Sequence, residues 1–197
     1  MGCSAVDTVR DRLRSEPGSA HFSAEGSICG VPAIKGEVIG DVPGQGGCGV
    51  ENAVRVTSVS GITLSQASTM NCKTAKALNS WVSGSAMPTI GKKGGGLSSL
   101  KVAAHYVCRT RNHKRGARLS EHARGNAIDI SAFQLANGDA LTVSDDWGGG
   151  KRGRIMKQLH ASACGPFGTV LGPKSDRYHQ NHFHLDTASY RGGPYCK

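Results

Sequence analysis

Apolar positions in this chain fall mostly into short runs, and only two segments show helical spacing. Val54, Val56 and Val59, then Ile62 and Leu64, flank Gly61 and predict a pair of short strands. Cys72, Ala75, Leu78 and Val82 follow at helical intervals, behind an Asn71 or Thr69 that can cap the first turn. Gly94, Gly95 and Gly96 mark a flexible loop. Residues 102–108 and 127–133 read as strands, and Asn137-Gly138 between Phe133 and Leu141 is a hairpin turn signal. Ile155, Leu159 and Ala163 predict a second helix, stopped by Gly165-Pro166, and residues 182–186 form the last strand. Before this lies an N-terminal extension, residues 1–47. Its charged positions 6–15 suit a short helix, and the rest, rich in Gly, Pro and small residues without a sustained period, reads as loop. The domain proper then spans 48–197. Strands without regular helical crossovers predict an α+β fold, with a small antiparallel sheet, flanking helices and long loops.

Seven cysteines change this picture by adding a compartment. They are scattered, with no CxxC pair, which suits disulfides formed in an oxidising environment after export better than a zinc knuckle. Chain proximity pairs Cys29 with Cys48, Cys72 with Cys108 and Cys164 with Cys196. Cys3 is left over. Gly2-Cys3-Ser4 fits the processed end of a bacterial lipoprotein, tethered to the membrane through Cys3, and equally fits a free thiol. No stretch approaches the roughly 18 apolar residues of a membrane span. The formal net charge of +10 favours an anionic partner without saying which.

Two segments carry the chemistry. In Ser120-Glu121-His122-Ala123-Arg124-Gly125-Asn126-Ala127-Ile128-Asp129-Ile130, Gly125 permits a tight turn. Asp129 alternates with two isoleucines and so projects from the face opposite them. A buried carboxylate there needs a partner, and His122 across the bend is one. In His182-Phe183-His184-Leu185-Asp186 the two histidines share a strand face, while Phe183 and Leu185 point to the core. Catalytic zinc takes three protein ligands and leaves a position open to water. His122, Asp129 and one histidine of the pair supply such a set, and the other histidine is free to take a proton from water. Each motif alone has a plainer reading, as a turn cap, an arginine partner or a chance His-x-His.

The pattern Ser-x-His-x-x-Gly-x-Ala-x-Asp, met by Ser120, His122, Gly125, Ala127 and Asp129, resembles the first metal motif of the LAS peptidases. That group joins lysostaphin-type enzymes, D-Ala-D-Ala peptidases and the penicillin-insensitive murein endopeptidase. Its second motif, a late His-x-His, is similar to His182 and His184. From about Cys48 to Cys196 the chain also resembles the bacterial extensin-like C-terminal domain. Cys108-Arg109-Thr110-Arg111-Asn112, Cys164-Gly165-Pro166-Phe167-Gly168 and Arg191-Gly192-Gly193-Pro194-Tyr195-Cys196 carry that match. The resemblance implies an LAS-like fold in which His122, Asp129 and His184 bind Zn2+ and His182 acts as general base or transition-state stabiliser. Arg109 would stabilise the oxyanion. Cys108 stands where related peptidases carry tyrosine, and the plainer reading of Arg109 is a structural ion pair.

Around this set, Ser120 is expected to orient its loop through backbone hydrogen bonds, His179 to contact substrate or water, and Asp186 to orient a histidine N–H. His113 and His160 read as surface residues. The basic run Arg109, Arg111, Lys114, Arg115, Arg118 and Arg124 is either a solvated loop or a lure for the carboxylates of peptidoglycan stems. The function expected from the resemblance is a zinc peptidase of the bacterial periplasm or cell envelope, hydrolysing peptidoglycan stem-peptide or cross-link bonds. The alternative is a non-catalytic peptidoglycan-binding module that keeps the fold. A metal-dependent nuclease fits poorly, since few aromatics are present to stack bases.

Overall fold

The computed structural model describes residues 26–189 and 192–197, so Cys3 and the helix expected over 6–15 lie outside the described residues. Within them, ten strands make one sheet: β1 (Ser27–Ile28), β2 (Val31–Pro43), β3 (Gly49–Val59), β4 (Ile62–Met70), β5 (Leu97–Ala104), β6 (Ala127–Leu135), β7 (Ala140–Thr142), β8 (Thr169–Leu171), β9 (Phe183–Asp186) and β10 (Tyr195–Cys196). Their order is β1-β2-β3-β4-β5-β6-β9-β8-β10, with β7 attached to β6. Pairing is antiparallel except between β4 and β5 and between β8 and β10. The chain is therefore mostly β with a mixed sheet, and the expected small antiparallel sheet with flanking helices is incorrect.

Two physical features hid the larger sheet. Strand β2 lies in the stretch read as loop and belongs to the extension assigned to 1–47, yet it pairs with β3 along most of its length. Register shifts between Lys35 and Gly36, Val38 and Gly40, and Gly40 and Val42 break its alternation, so no period of two survives in the sequence. The fold thus begins before Cys48. Second, α1 (Cys72–Trp81) runs through a π-helical turn into α2 (Met87–Ile90) and forms a helical crossover between β4 and β5. Such a crossover makes the two strands parallel. The expected strand over 102–108 is also shifted, because β5 ends at Ala104.

Asn71 caps α1, its side-chain oxygen accepting from the backbone N–H of Thr74 at 2.9 Å. The buried stripe Ala75, Leu78 and Trp81 follows the expected spacing. Trp81 meets Phe133 of β6 and Phe167 edge-on, with ring centroids 6.0 and 6.3 Å apart. Its indole N–H is shared between the Leu159 carbonyl and the Ser162 hydroxyl of α4 (Gly150–Ala163), after α3 (Val143–Asp146). One apolar core thereby joins both long helices to the middle of the sheet. In β6 one extra residue falls between the pairs Ile130–Val102 and Ala132–Lys101. This bulge lets Ile128, Ile130 and Phe133 all reach the core and leaves Asp129 on the other side.

The disulfides are Cys29–Cys72, Cys48–Cys108 and Cys164–Cys196, with Cα separations of 5.4, 5.5 and 6.0 Å. Chain proximity gives only the last. The sheet brings Cys29 to the start of α1 and the β2–β3 turn to the loop after β5, and bridging depends on that spatial closeness. Three disulfides suit an exported protein in an oxidising compartment. Removing the bridge that closes a 43-residue separation, with Cys29→Ser and Cys72→Ser together, is expected to cost about 2–4 kcal/mol. Urea unfolding would read this, and an unmoved midpoint would contradict a stabilising bridge.

Candidate metal centre

Strand pairing puts Asp129 of β6 opposite His184 of β9. His122 reaches the same point from the short 3-10 turn Glu121–Arg124, which ends in Gly125 at φ 65°. A side chain at Gly125 would be strained in that backbone and would meet Val50 Cγ1 at 2.7 Å, so the turn requires glycine twice over. The Gly125 carbonyl also accepts from the Asn71 N–H and the Thr74 hydroxyl, which ties the turn to the start of α1. His122, Asp129 and His184 are all buried.

Their protons can be assigned from their outer neighbours. His122 Nδ1 lies 2.7 Å from the carbonyl oxygen of His105, which can only accept, so this nitrogen carries the proton. His184 Nε2 lies 3.0 Å from Asp186 Oδ2 and carries its proton for the same reason. The other Asp186 oxygen accepts from the Ala188 N–H at 2.9 Å. In the neutral rings the inner nitrogens, His122 Nε2 and His184 Nδ1, are then bare. They stand 3.1 Å apart, and lie 3.1 and 2.9 Å from Asp129 Oδ1. Three lone pairs converge among buried side chains, an arrangement that repels itself unless a cation or an extra proton lies among them.

Burial opposes the charge of Asp129, but hydrogen bonds and positive charge from His122 and His184 outweigh it and hold the carboxyl far below its usual range. Burial also disfavours a charged His184. Its bonds to Asp129 and Asp186 overcome this and push it up to about 9. With no metal, then, an extra proton on His184 relieves the cluster. A divalent metal does the same using the same atoms, which all lie within 4.8 Å of one another. Two neutral imidazoles and one carboxylate suit zinc and other first-row divalent ions.

The remaining candidates surround this cluster. His182 Nε2 lies 3.5 Å from Asp129 Oδ2, and its Nδ1 is 2.9 Å from the Asn181 side-chain oxygen. Burial lowers its pKa most; Asp129 opposes this, and the neighbouring histidines lower it further. Arg109 Nη2 stands 4.0 Å from Asp129 Oδ2, at the outer limit of an ion pair. A cleft of about 180 Å³ opens beside His184, and Arg109, Ser120, His179 and Asp186 lie on its wall. Ser120 organises its loop through its backbone, donating to the Arg109 carbonyl and accepting from Ala123 N–H, while its hydroxyl does not cap the turn. His179 is buried, and its Nδ1 lies 2.8 Å from Asp176 Oδ1.

Sequence reasoning missed Asp176, whose only signal was the three-residue spacing to His179. It also missed the His105 carbonyl, for which a backbone atom leaves no signal at all. His113 is exposed as expected. His160 is not a surface residue: it is buried against Trp147 and Phe183, with ring centroids 5.3 and 5.1 Å away.

Fold and site together define a disulfide-linked, mostly β protein with a buried His–Asp–His cluster at the wall of a cleft. The chain belongs to the family described as extensin-like protein C-terminus, which it matches over residues 33–197. No curated protein and no solved structure matches it.

A histidine raised from 6.5 to about 9 by folding adds stability that is complete below pH 6.5 and lost as pH rises to about 9. Asp129, depressed by folding, adds stability above its ordinary 3.8 that is lost only in strong acid. Chelator-treated protein should therefore unfold at progressively lower urea between pH 6.5 and about 9. Added zinc, which displaces the His184 proton, should restore the midpoint most at the alkaline end. A flat profile in both states would contradict the proton assignment.

Proposed function

We propose that this protein is a zinc-dependent peptidoglycan peptidase of the LAS type, acting on stem-peptide or cross-link amide bonds in the bacterial envelope. One observation carries the reading: the bare nitrogens of His122 and His184 and the Asp129 carboxylate converge at the wall of a cleft, each histidine held from behind by an acceptor. Paired acceptors of this kind fix the tautomer that a metal ligand needs. His182 and Arg109, groups suited to hydrolysis, lie 3.5 and 4.0 Å from the outer Asp129 oxygen.

Bound zinc would polarise the scissile carbonyl and bring the pKa of water near neutrality. The other roles belong to the chain. His182 is kept neutral by burial, and the Asn181 oxygen at its Nδ1 leaves Nε2 as the proton-accepting atom. After taking a proton there, it is stabilised by Asp129 at 3.5 Å and can deliver the proton to the leaving amine. Arg109, on the cleft wall, supplies guanidinium donors to the developing oxyanion. Asp176 and Asp186 hold His179 and His184 in single orientations.

Digestion of purified peptidoglycan, followed by mass spectrometry, tests the reading. The zinc-loaded protein should release cut muropeptides, and chelation or His184→Ala should abolish this together with zinc binding. His182→Ala should keep its zinc and lose about 10²–10⁴-fold in turnover. Zinc-loaded wild type that binds the polymer without cutting it would favour the non-catalytic wall-binding module instead.

A further inference from the structure

Residues 109–120 fold back on themselves beside the cleft. Thr110 bridges Leu119, Arg111 N–H donates to the Arg118 carbonyl at 2.9 Å, and Ser120 N–H donates to the Arg109 carbonyl at 3.0 Å. The hairpin presents Arg109 and Arg111 to the cleft. Arg111 and Tyr195 also line a second, more open hollow of about 430 Å³. Both residues border both cavities, so they form the passage from one to the other. Each is anchored nearby in sequence by a disulfide, Cys48–Cys108 on one side and Cys164–Cys196 on the other. The passage is therefore built in advance of any ligand, which lowers the ordering cost of binding.

The charge balance of this passage favours an anion. Asp176 is engaged by His179 and by the Tyr178 N–H, and Asp186 by His184 and the Ala188 N–H. One Glu121 oxygen accepts from Asn126 at 2.9 Å, and the other reaches Arg111 only at 3.5 Å. The Arg111 side chain is 49% exposed and its planar fork is left largely open. A guanidinium so placed matches a carboxylate through two parallel N–H donors. Tyr195, on the lining of the same cavities, is 54% exposed and offers a ring and hydroxyl there.

Building on the peptidase reading, we infer that Arg111 and Tyr195 form a carboxylate-recognition subsite, and that the substrate is a peptide carrying a free carboxylate away from the scissile bond. Arg111 is a specificity residue that binds this group. The test is calorimetric binding of two soluble stem peptides, identical except that one carries free side carboxylates and the other carboxamides. Zinc-loaded protein should prefer the carboxylate peptide by about tenfold, the scale of one charge-assisted contact at a partly exposed site, and salt should weaken the preference. Arg111→Gln should abolish the preference and Arg111→Lys restore part of it. Lys101→Gln, which removes the same charge from the exposed side of β5, should leave it intact.

Equal binding of both peptides to wild type, or a preference that survives Arg111→Gln in a protein of unchanged thermal midpoint, overturns the subsite. If Arg111→Gln unfolds, Tyr195→Ala decides: a reduced preference supports the subsite, and a preference equal to that of wild type overturns it. Peptidoglycan turnover is scored separately. A carboxylate preference without any cleavage defeats the peptidase reading and leaves the subsite standing, and cleavage without the preference does the reverse.

Discussion

Three acceptor atoms facing one another in a buried place constrain everything around them. Two nitrogens and a carboxylate oxygen about 3 Å apart would spread if their supports were soft. Those supports are instead rigid. Asp129 and His184 stand opposite each other in a strand pair whose neighbouring residues, Ile128, Ile130, Phe183 and Leu185, are locked in the core. His122 is held by a turn that only glycine can close. Behind each histidine an acceptor dictates which nitrogen keeps its proton. The cluster is thus a place of stored electrostatic demand, met by a proton or by a metal.

The sheet is organised to meet that demand at its centre. β6 touches β5 on one side and β9 on the other, so the strand carrying Asp129 is among the least free to move. The loops that supply the other groups are long, and loops of that kind are ordinarily mobile. Here disulfides substitute for regular structure. Cys48–Cys108 holds the segment leading to Arg109, and Cys164–Cys196 holds the end of the chain against α4. A protein exported to an oxidising compartment can rely on such bridges, since they persist there.

Charge is distributed unevenly between the interior and the rim. The acidic groups near the centre are each engaged by a histidine, a backbone N–H or an amide. The basic groups on the 109–120 hairpin are mostly turned outward, with Lys114 lying over the Tyr178 ring at 5.9 Å. Part of the excess behind the net charge of +10 is therefore concentrated at the rim of the cleft. The proposed peptidase function joins these two zones: a neutralised centre for the chemistry and a basic rim for an acidic substrate.

Much of the site could be read without a structure, because its residues sit in local patterns. Alternation placed Asp129 opposite two isoleucines and set His182 and His184 on one side, and Gly125 signalled the turn between His122 and Asp129. These are consequences of strand geometry over a few residues. The same locality located α1, α4 and the β6–β7 hairpin. Strand β2 escaped because bulges erase its period, and the true disulfide partners escaped because closeness in space is not closeness in sequence. The His105 carbonyl, the Asp176–His179 contact and the burial of His160 depend on loops meeting across the fold. Local pattern thus determined which residues could bear the chemistry. Tertiary structure alone decided which nitrogen of each histidine is bare, because that depends on the acceptor a distant segment presents.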